Sequence, residues 1–225
     1  MKYLFVPATL SNRFSFENIK SYELPKVVCL ISTIQFVALL GKLKKFLEKN
    51  GKKVIIKGNG QVLGCNTINA TSIQNKVQAF IYVGSGKFHP LAIALSLKEL
   101  KPIFLYNPIT NEFSRLNEKE IQSALAKKKT AKIKFLAANK IGILVSTKPG
   151  QQRLKQAEIL KTELEKQGKK CYIFIANDID LGQLENFPQI EAWVNTACPG
   201  LSLENSLLWI DDTKVKQKLK SINLS

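Results

Sequence analysis

Residues 141–176 read IGILVSTKPGQQRLKQAEILKTELEKQGKKCYIFIA, and residues 27–58 read VVCLISTIQFVALLGKLKKFLEKNGKKVIIKG. The two stretches follow one pattern. Each opens with a short, continuous apolar run, which suits a strand covered on both faces. Each passes through Ser-Thr into a stretch with the spacing of an amphipathic helix. Each helix is expected to stop at Asn50-Gly51 or Gln167-Gly168, where glycine supplies a left-handed C-cap. Lys-Lys follows, and then a second apolar run.

A third strand is expected in both stretches, over AFIYVG (79–84) and EAWVNTA (191–197). The first unit continues with a helical PLAIALSLKEL (90–100) and a strand in PIFLYNP (102–108). Alternating strands and helices imply parallel sheets with right-handed crossovers. The expected fold class is therefore α/β, with two similar Rossmann-like units at 25–130 and 131–225 whose sheets are flanked by helices. The segment NEKEIQSALAKKKTAKIKFLAAN (117–139) reads as a helix crossing between them. Residues 1–24 fit neither unit: KYLFVPA (2–8) reads as an extra N-terminal strand, followed by a polar stretch. A lone strand is unstable and must join another sheet.

The 225 residues carry 34 Lys and Arg against 17 Asp and Glu, a net charge of +17. Such a charge attracts RNA, ribosomes or an acidic partner. The lysines, however, are spread along helix faces and mixed with glutamate. No RNA-binding aromatic motif is visible, so a solvated surface is the favoured reading and an RNA partner the less favoured one. No apolar run reaches the roughly 20 residues of a membrane span, and the interrupted start does not read as a signal peptide. Four scattered cysteines do not form a disulfide framework, which makes a reducing cytoplasm the expected location.

In open parallel sheets, chemistry gathers beyond the carboxyl ends of the strands. Cys65, in GQVLGCN (60–66), follows the second strand of the first unit, between Gly64 and Asn66, two residues suited to unusual backbone angles. Cys198, in VNTACPGL, follows the third strand of the second unit. A metal or cluster ligand, a nucleophile and a turn that tolerates cysteine all remain open for these two, since two isolated cysteines form no zinc signature. Cys29 and Cys171 lie inside apolar strands and read as packing residues. His89, the only histidine, sits in GSGKFHP. It reads as a turn or packing histidine, with a Cys–His pair to Cys65 as the other option. GNGQVLG follows a strand but is a poor dinucleotide fingerprint, with no acidic ribose partner at the right distance. The loop STKPGQQR follows the first strand of the second unit, and all these loops leave the same edges of their sheets. The two units are therefore expected to face one another across one cleft.

Taken together, GQVLGCN, YVGSGKFHPLAIAL, NPIT, GILVSTKPGQQR and VNTACPGLS resemble the diphthamide synthase family, the 2-(3-amino-3-carboxypropyl)histidine synthases. The motifs stand in family order from Val27 to about Leu203. The resemblance implies three similar α/β units, each giving one cysteine to a [4Fe–4S] cluster that leaves one iron open to S-adenosylmethionine. It implies a 3-amino-3-carboxypropyl transferase, whose radical product adds to a histidine of translation elongation factor 2, the first step of diphthamide biosynthesis. On this reading Cys65 and Cys198 are the metal ligands of a middle-type and a last-type unit. Gln61 and Gly64 are expected cofactor contacts, as are Gly84, Ser85, Gly86 and His89 after the third strand. Thr147, Gly150 and Gln151 extend that set into the second unit.

The family's first unit and its cysteine have no counterpart in the sequence, and residues 1–24 resemble a remnant strand and linker of it. The resemblance therefore implies a split or truncated synthase, completed by a second polypeptide or by a homodimer. A non-catalytic partner subunit and a basic RNA- or ribosome-binding protein that kept the fold are the alternatives.

Overall fold

Two parallel-dominated sheets carry the chain in the computed structural model, which describes Leu4, Val6 and residues 8–10, 14–204 and 207–209. The chain divides into two compact units, residues 1–122 and 123–225. The division falls inside the long helix α4 (Glu118–Ala137), eight residues before the 130/131 boundary expected from the pattern.

The first sheet contains β1 (Val27–Ser32), β2 (Lys53–Ile55), β3 (Ala79–Val83), β4 (Ile103–Asn107) and β5 (Glu112–Arg115) in the order β2-β1-β3-β4-β5. Its first four strands are parallel and β5 is antiparallel. Helix α1 (Leu40–Lys49) connects β1 to β2 and buries Leu40, Leu43 and Leu47. Burial of each leucine contributes roughly 2 kcal/mol. Gly51, at φ 76°, ends the helix, and the Lys52 amide reaches back to the Leu47 carbonyl at 3.1 Å. A short helix, α2 (Ile68–Thr71), lies between β2 and β3, and α3 (Phe88–Ser96) connects β3 to β4.

Residues 14–24, which fit neither unit by pattern, pack onto the first. Ile19 and Leu24 are buried in its core, and Phe16 meets the rings of Phe46 and Tyr106 at 5.6 and 6.0 Å. The Tyr106 hydroxyl donates to the Ser15 carbonyl. The expected strand over 2–8 lies largely outside the described residues, and Leu4, Val6 and Ala8 are in no strand.

The second sheet orders β6 (Lys140–Ser146), β7 (Lys170–Ala176), β8 (Ala192–Asn195) and β9 (Leu208–Trp209) as β7-β6-β8-β9, all parallel. Helix α5 (Leu154–Glu165) packs Ala157, Leu160 and Leu164 with Phe135 of α4 against Ile141, Ile143 and Val145. On the sheet's other face, Trp193 lies over Gly142, where an added Cβ would stand 2.3 Å from the indole. Phe174 and Phe187 complete that aromatic cluster, at 4.7 and 6.2 Å from Trp193. A short helix, α6 (Gly200–Glu204), follows β8.

Candidate functional site: two loop thiols at strand ends

In both units the central strand, β1 or β6, lies between the second and third strands of its own unit. The strand order therefore switches direction at the central strand, which opens a crevice at the carboxyl ends of the central and third strands. In the first unit, Ser32 closes the floor of this crevice by donating from Oγ to the Val83 carbonyl at 2.8 Å.

After β2 ends, the chain returns to β1. The Ser32 amide donates to Gly60 at 2.9 Å, and the Val62 amide donates to Ser32 at 2.8 Å. Gly58 and Gly60, at φ 56° and 78°, make this return possible. A two-residue turn follows, in which Leu63 and Asn66 exchange backbone hydrogen bonds of 2.9 and 3.0 Å. Gly64 and Cys65 form its tip, and Cys65 is a free, exposed thiol.

The turn corrects one expectation. Neither Gly64 nor Asn66 has a positive φ. Gly64 is required for space instead, because an added Cβ would stand 2.4 Å from the Phe88 ring. Asn66 caps locally, with Oδ1 accepting from the Ile68 amide at 3.2 Å.

Phe88 also ties the Cys65 turn to the loop after β3. Gly84 packs directly on Tyr82, where an added Cβ would lie 2.6 Å from the phenol oxygen. Ser85 and Gly86 are exposed, and Gly86 has φ 71°. His89 does not hydrogen-bond Cys65. Its Nδ1 lies 3.4 Å from the Tyr82 hydroxyl, and the two rings stack. Burial lowers the pKa of His89 and pushes the Tyr82 phenol up to about 12, the nearby Thr33 side chain opposing the latter. Although it lies that close, the buried Thr33 Oγ1 has no hydrogen-bond partner of good geometry. The first unit therefore joins the Cys65 turn to the start of α3 through Gly64 and Phe88, with His89 in that helix's first turn and the unsatisfied Thr33 hydroxyl near Tyr82.

The second unit fixes its thiol differently. Asn195, fully buried at the end of β8, donates from Nδ2 to the Cys198 carbonyl at 2.7 Å and to Ser202 Oγ at 3.1 Å. Its Oδ1 accepts from the Ala197 amide at 2.8 Å. Thr196 donates through Oγ1 to the Leu144 carbonyl at 2.8 Å. These bonds hold Cys198 half-exposed, ahead of the buried Pro199. Thr147 is tied the other way, towards β7: its amide donates to Ala176 at 3.0 Å and its Oγ1 to Asn177 Oδ1 at 3.3 Å. Gly150, at φ 76°, and Gln151 belong to that same turn.

The remaining cysteines are unsuited to ligation. Burial pushes the Cys29 thiol up to about 12. Cys171 is pushed up to about 11 by burial, with a further contribution from Glu165. Both are held as neutral thiols, whereas metals and nucleophilic chemistry need thiolate. Among the described residues, no group of three or more His, Cys, Asp or Glu could hold a metal ion. Each accessible thiol has the chemistry of a soft, thiolate-type ligand. Pattern reading missed Thr33, Tyr82, Phe88 and Asn195. Only Asn195 left a signal, as a polar residue ending an apolar strand.

The fold and thiols define a class: an α/β protein of repeated Rossmann-like units that presents cysteine at strand ends. Residues 1–210 match the family described as "Putative diphthamide synthesis protein", and the chain belongs to that family. It is 34% identical over 195 residues to the 2-(3-amino-3-carboxypropyl)histidine synthase of Pyrococcus horikoshii, covering 83% of this chain and 54% of that one. The subunit 1 of that name from Caenorhabditis elegans is 27% identical over 212 residues, covering 91% and 52%. The chain thus spans about half the length of these relatives. It also superposes on the crystal structure of Dph2 from Pyrococcus horikoshii with a 4Fe-4S cluster. That match has a TM-score of 0.72 at 31% identity and covers 90% of this chain and 60% of that one. No helix among the described residues is long and apolar enough to cross a membrane.

Proposed function

We propose that this chain is part of a 2-(3-amino-3-carboxypropyl)histidine synthase that moves the 3-amino-3-carboxypropyl group of S-adenosylmethionine onto a histidine of translation elongation factor 2. The observation carrying this reading is the sorting of its thiols. Cys65 and Cys198 are accessible on loops at strand ends, while Cys29 and Cys171 are buried and kept protonated. Cys65 and Cys198 each give one thiolate to a [4Fe–4S] cluster. The third comes from another polypeptide or from a second copy. A bound cluster supplies the electron that cleaves the co-substrate's carbon–sulfur bond.

The chain's own residues hold and orient. The Gly84–Gly86 loop lets a ligand's polar groups approach the backbone closely, and Thr33 Oγ1 offers an unused hydroxyl beneath it. Gln61 and Gly64 fix the Cys65 turn beside that loop. Thr147, Gly150 and Gln151 form the corresponding edge of the second unit. Neutral His89 braces the Tyr82 phenol, keeping the crevice floor rigid.

Anaerobic reconstitution, with iron and sulfide counted per chain and histidine modification assayed, tests the reading. The isolated chain should hold little cluster, and a chain supplying the third cysteine should restore both cluster and activity. Full cluster loading and modification of the factor by this chain unaided would overturn the proposal.

A further inference from the structure

Helix α1 turns three lysines outward in a row. Lys42, Lys45 and Lys49, at i, i+3 and i+7, lie on the face opposite the buried Leu40, Leu43 and Leu47. At 1.5 Å per residue the row extends about 10 Å along the axis. The chain then turns at Gly51 into edge strand β2, which begins at the exposed Lys53, and the exposed Lys57 follows two residues after the strand ends at Ile55. The Lys53 amide donates to the Lys26 carbonyl at 2.8 Å, which places a further exposed lysine alongside. The nearby carboxylates are engaged elsewhere, Glu48 facing Lys44 at 3.6 Å and Glu23 facing Lys20 at 3.4 Å, and none of Lys26, Lys42, Lys45, Lys49, Lys53 and Lys57 has an ion pair among the described residues.

We propose that this side of the first unit is a docking surface for the backbone of double-helical RNA. The inference is independent of the activity proposed above. Three features select this partner. First, no large apolar side chain between Tyr22 and Leu63 is exposed, so the surface lacks the anchors of a protein interface, where lysine is in any case depleted. Second, a single exposed ring, Tyr22, borders the surface, which is too few to stack the successive bases of a single strand. Third, the row has no arginine or glutamine to read base edges, and the Asn50 side chain is occupied in capping Phe46 at 2.9 Å. A row of point charges on flexible stems suits the A-form duplex, whose deep major groove side chains cannot read and which is recognised through backbone and shape.

The test is fluorescence anisotropy of the full chain with a labelled 20-base-pair RNA duplex across a salt series. The variant is Lys42→Glu, Lys45→Glu, Lys49→Glu. The control is Lys119→Glu, Lys129→Glu, Lys134→Glu, which changes the net charge equally on exposed positions of α4. The row variant should lose at least tenfold in affinity, and its salt slope should fall by about two to three. The control should change less than threefold. Glutamine in place of the three α1 lysines should act in the same direction with less effect, and circular dichroism checks that each variant folds. Equal losses in row and control variants, or no RNA binding by the parent chain, would overturn the proposal. So would tighter binding to the DNA duplex of the same sequence, to polyglutamate or to phosphatidylserine vesicles, each of which reassigns the surface.

Discussion

In the first unit the accessible thiol follows the second strand, on a turn closed by two backbone hydrogen bonds and wedged against Phe88. In the second it follows the third strand, and one fully buried side chain, Asn195, holds its carbonyl, the preceding amide and Ser202 together. Yet the two sheets share the order second-first-third-fourth. The scaffold repeats and the placement of chemistry does not. Sheet order decides which edge of a unit is available, and the loops decide which of the strand ends on that edge delivers sulfur.

The sharpest way to break this comparison is to remove the thiols one at a time. In the reconstituted complex, Cys65→Ala and Cys198→Ala should each abolish most of the bound iron, measured by colorimetric assay per chain. Cys29→Ala and Cys171→Ala should retain it and cost about 1 kcal/mol in denaturant unfolding, as buried side chains trimmed in a core do. Uniform iron loss across all four would mean that loop and strand cysteines do not differ in role.

The second thiol turn depends on a single residue. Asn195→Ala should destabilise the second unit by roughly 2–3 kcal/mol, since it strands several buried partners at once. Unfolding monitored by tryptophan emission would measure this, and an unchanged midpoint would show that Cys198 is held by other contacts. The first turn depends on space. Gly64→Ala should cost about 1–3 kcal/mol by driving a methyl into Phe88. Gly86→Ala, in open space but at φ 71°, should cost only about 1 kcal/mol. Far-ultraviolet circular dichroism in urea separates them, and the reverse ranking would refute the wedge.

The smallest effect is one of pH. Burial lowers the pKa of His89 from the ordinary 6.5, so the folded chain favours neutral imidazole. As pH falls the unfolded chain takes up that proton first. The stability associated with neutral His89 is thus complete above 6.5 and declines as pH drops through the folded value. Comparison with His89→Gln between pH 7.5 and 5 should reveal a shallow slope that the variant lacks. Parallel curves for the two proteins would place the imidazole in solvent.

What could be read from the chain follows from how strongly each element is encoded. Strands β1, β3, β6 and β8 are continuous apolar runs because both their faces are covered, and that pattern needs no partner to be seen. Strand β5 was missed because an edge strand of sequence EFSR, with only Phe113 partly buried, carries almost no period-two signal. The packing of residues 14–24 was missed for a related reason. Phe14, Phe16, Ile19 and Leu24 are spaced by polar residues and find the core through tertiary contacts alone. The same limit applied at the site. Glycine and asparagine beside Cys65 pointed to the right loop by the wrong mechanism, because a φ preference is local to the chain whereas the Phe88 ring comes from 24 residues away.

The stacking of Trp193 on Gly142 has an optical consequence. The chain's two tryptophans, Trp193 and Trp209, both belong to the second unit. Emission excited at the red edge of the absorption band therefore reports on that unit alone, and the first can melt without a signal. The five tyrosines divide the other way: Tyr3, Tyr22, Tyr82 and Tyr106 fall in the first unit and only Tyr172 in the second. A single unlabelled sample, read at two excitation wavelengths, can thus assign each unfolding step to the unit it came from, and a difference between the two traces would reveal departure from all-or-none behaviour.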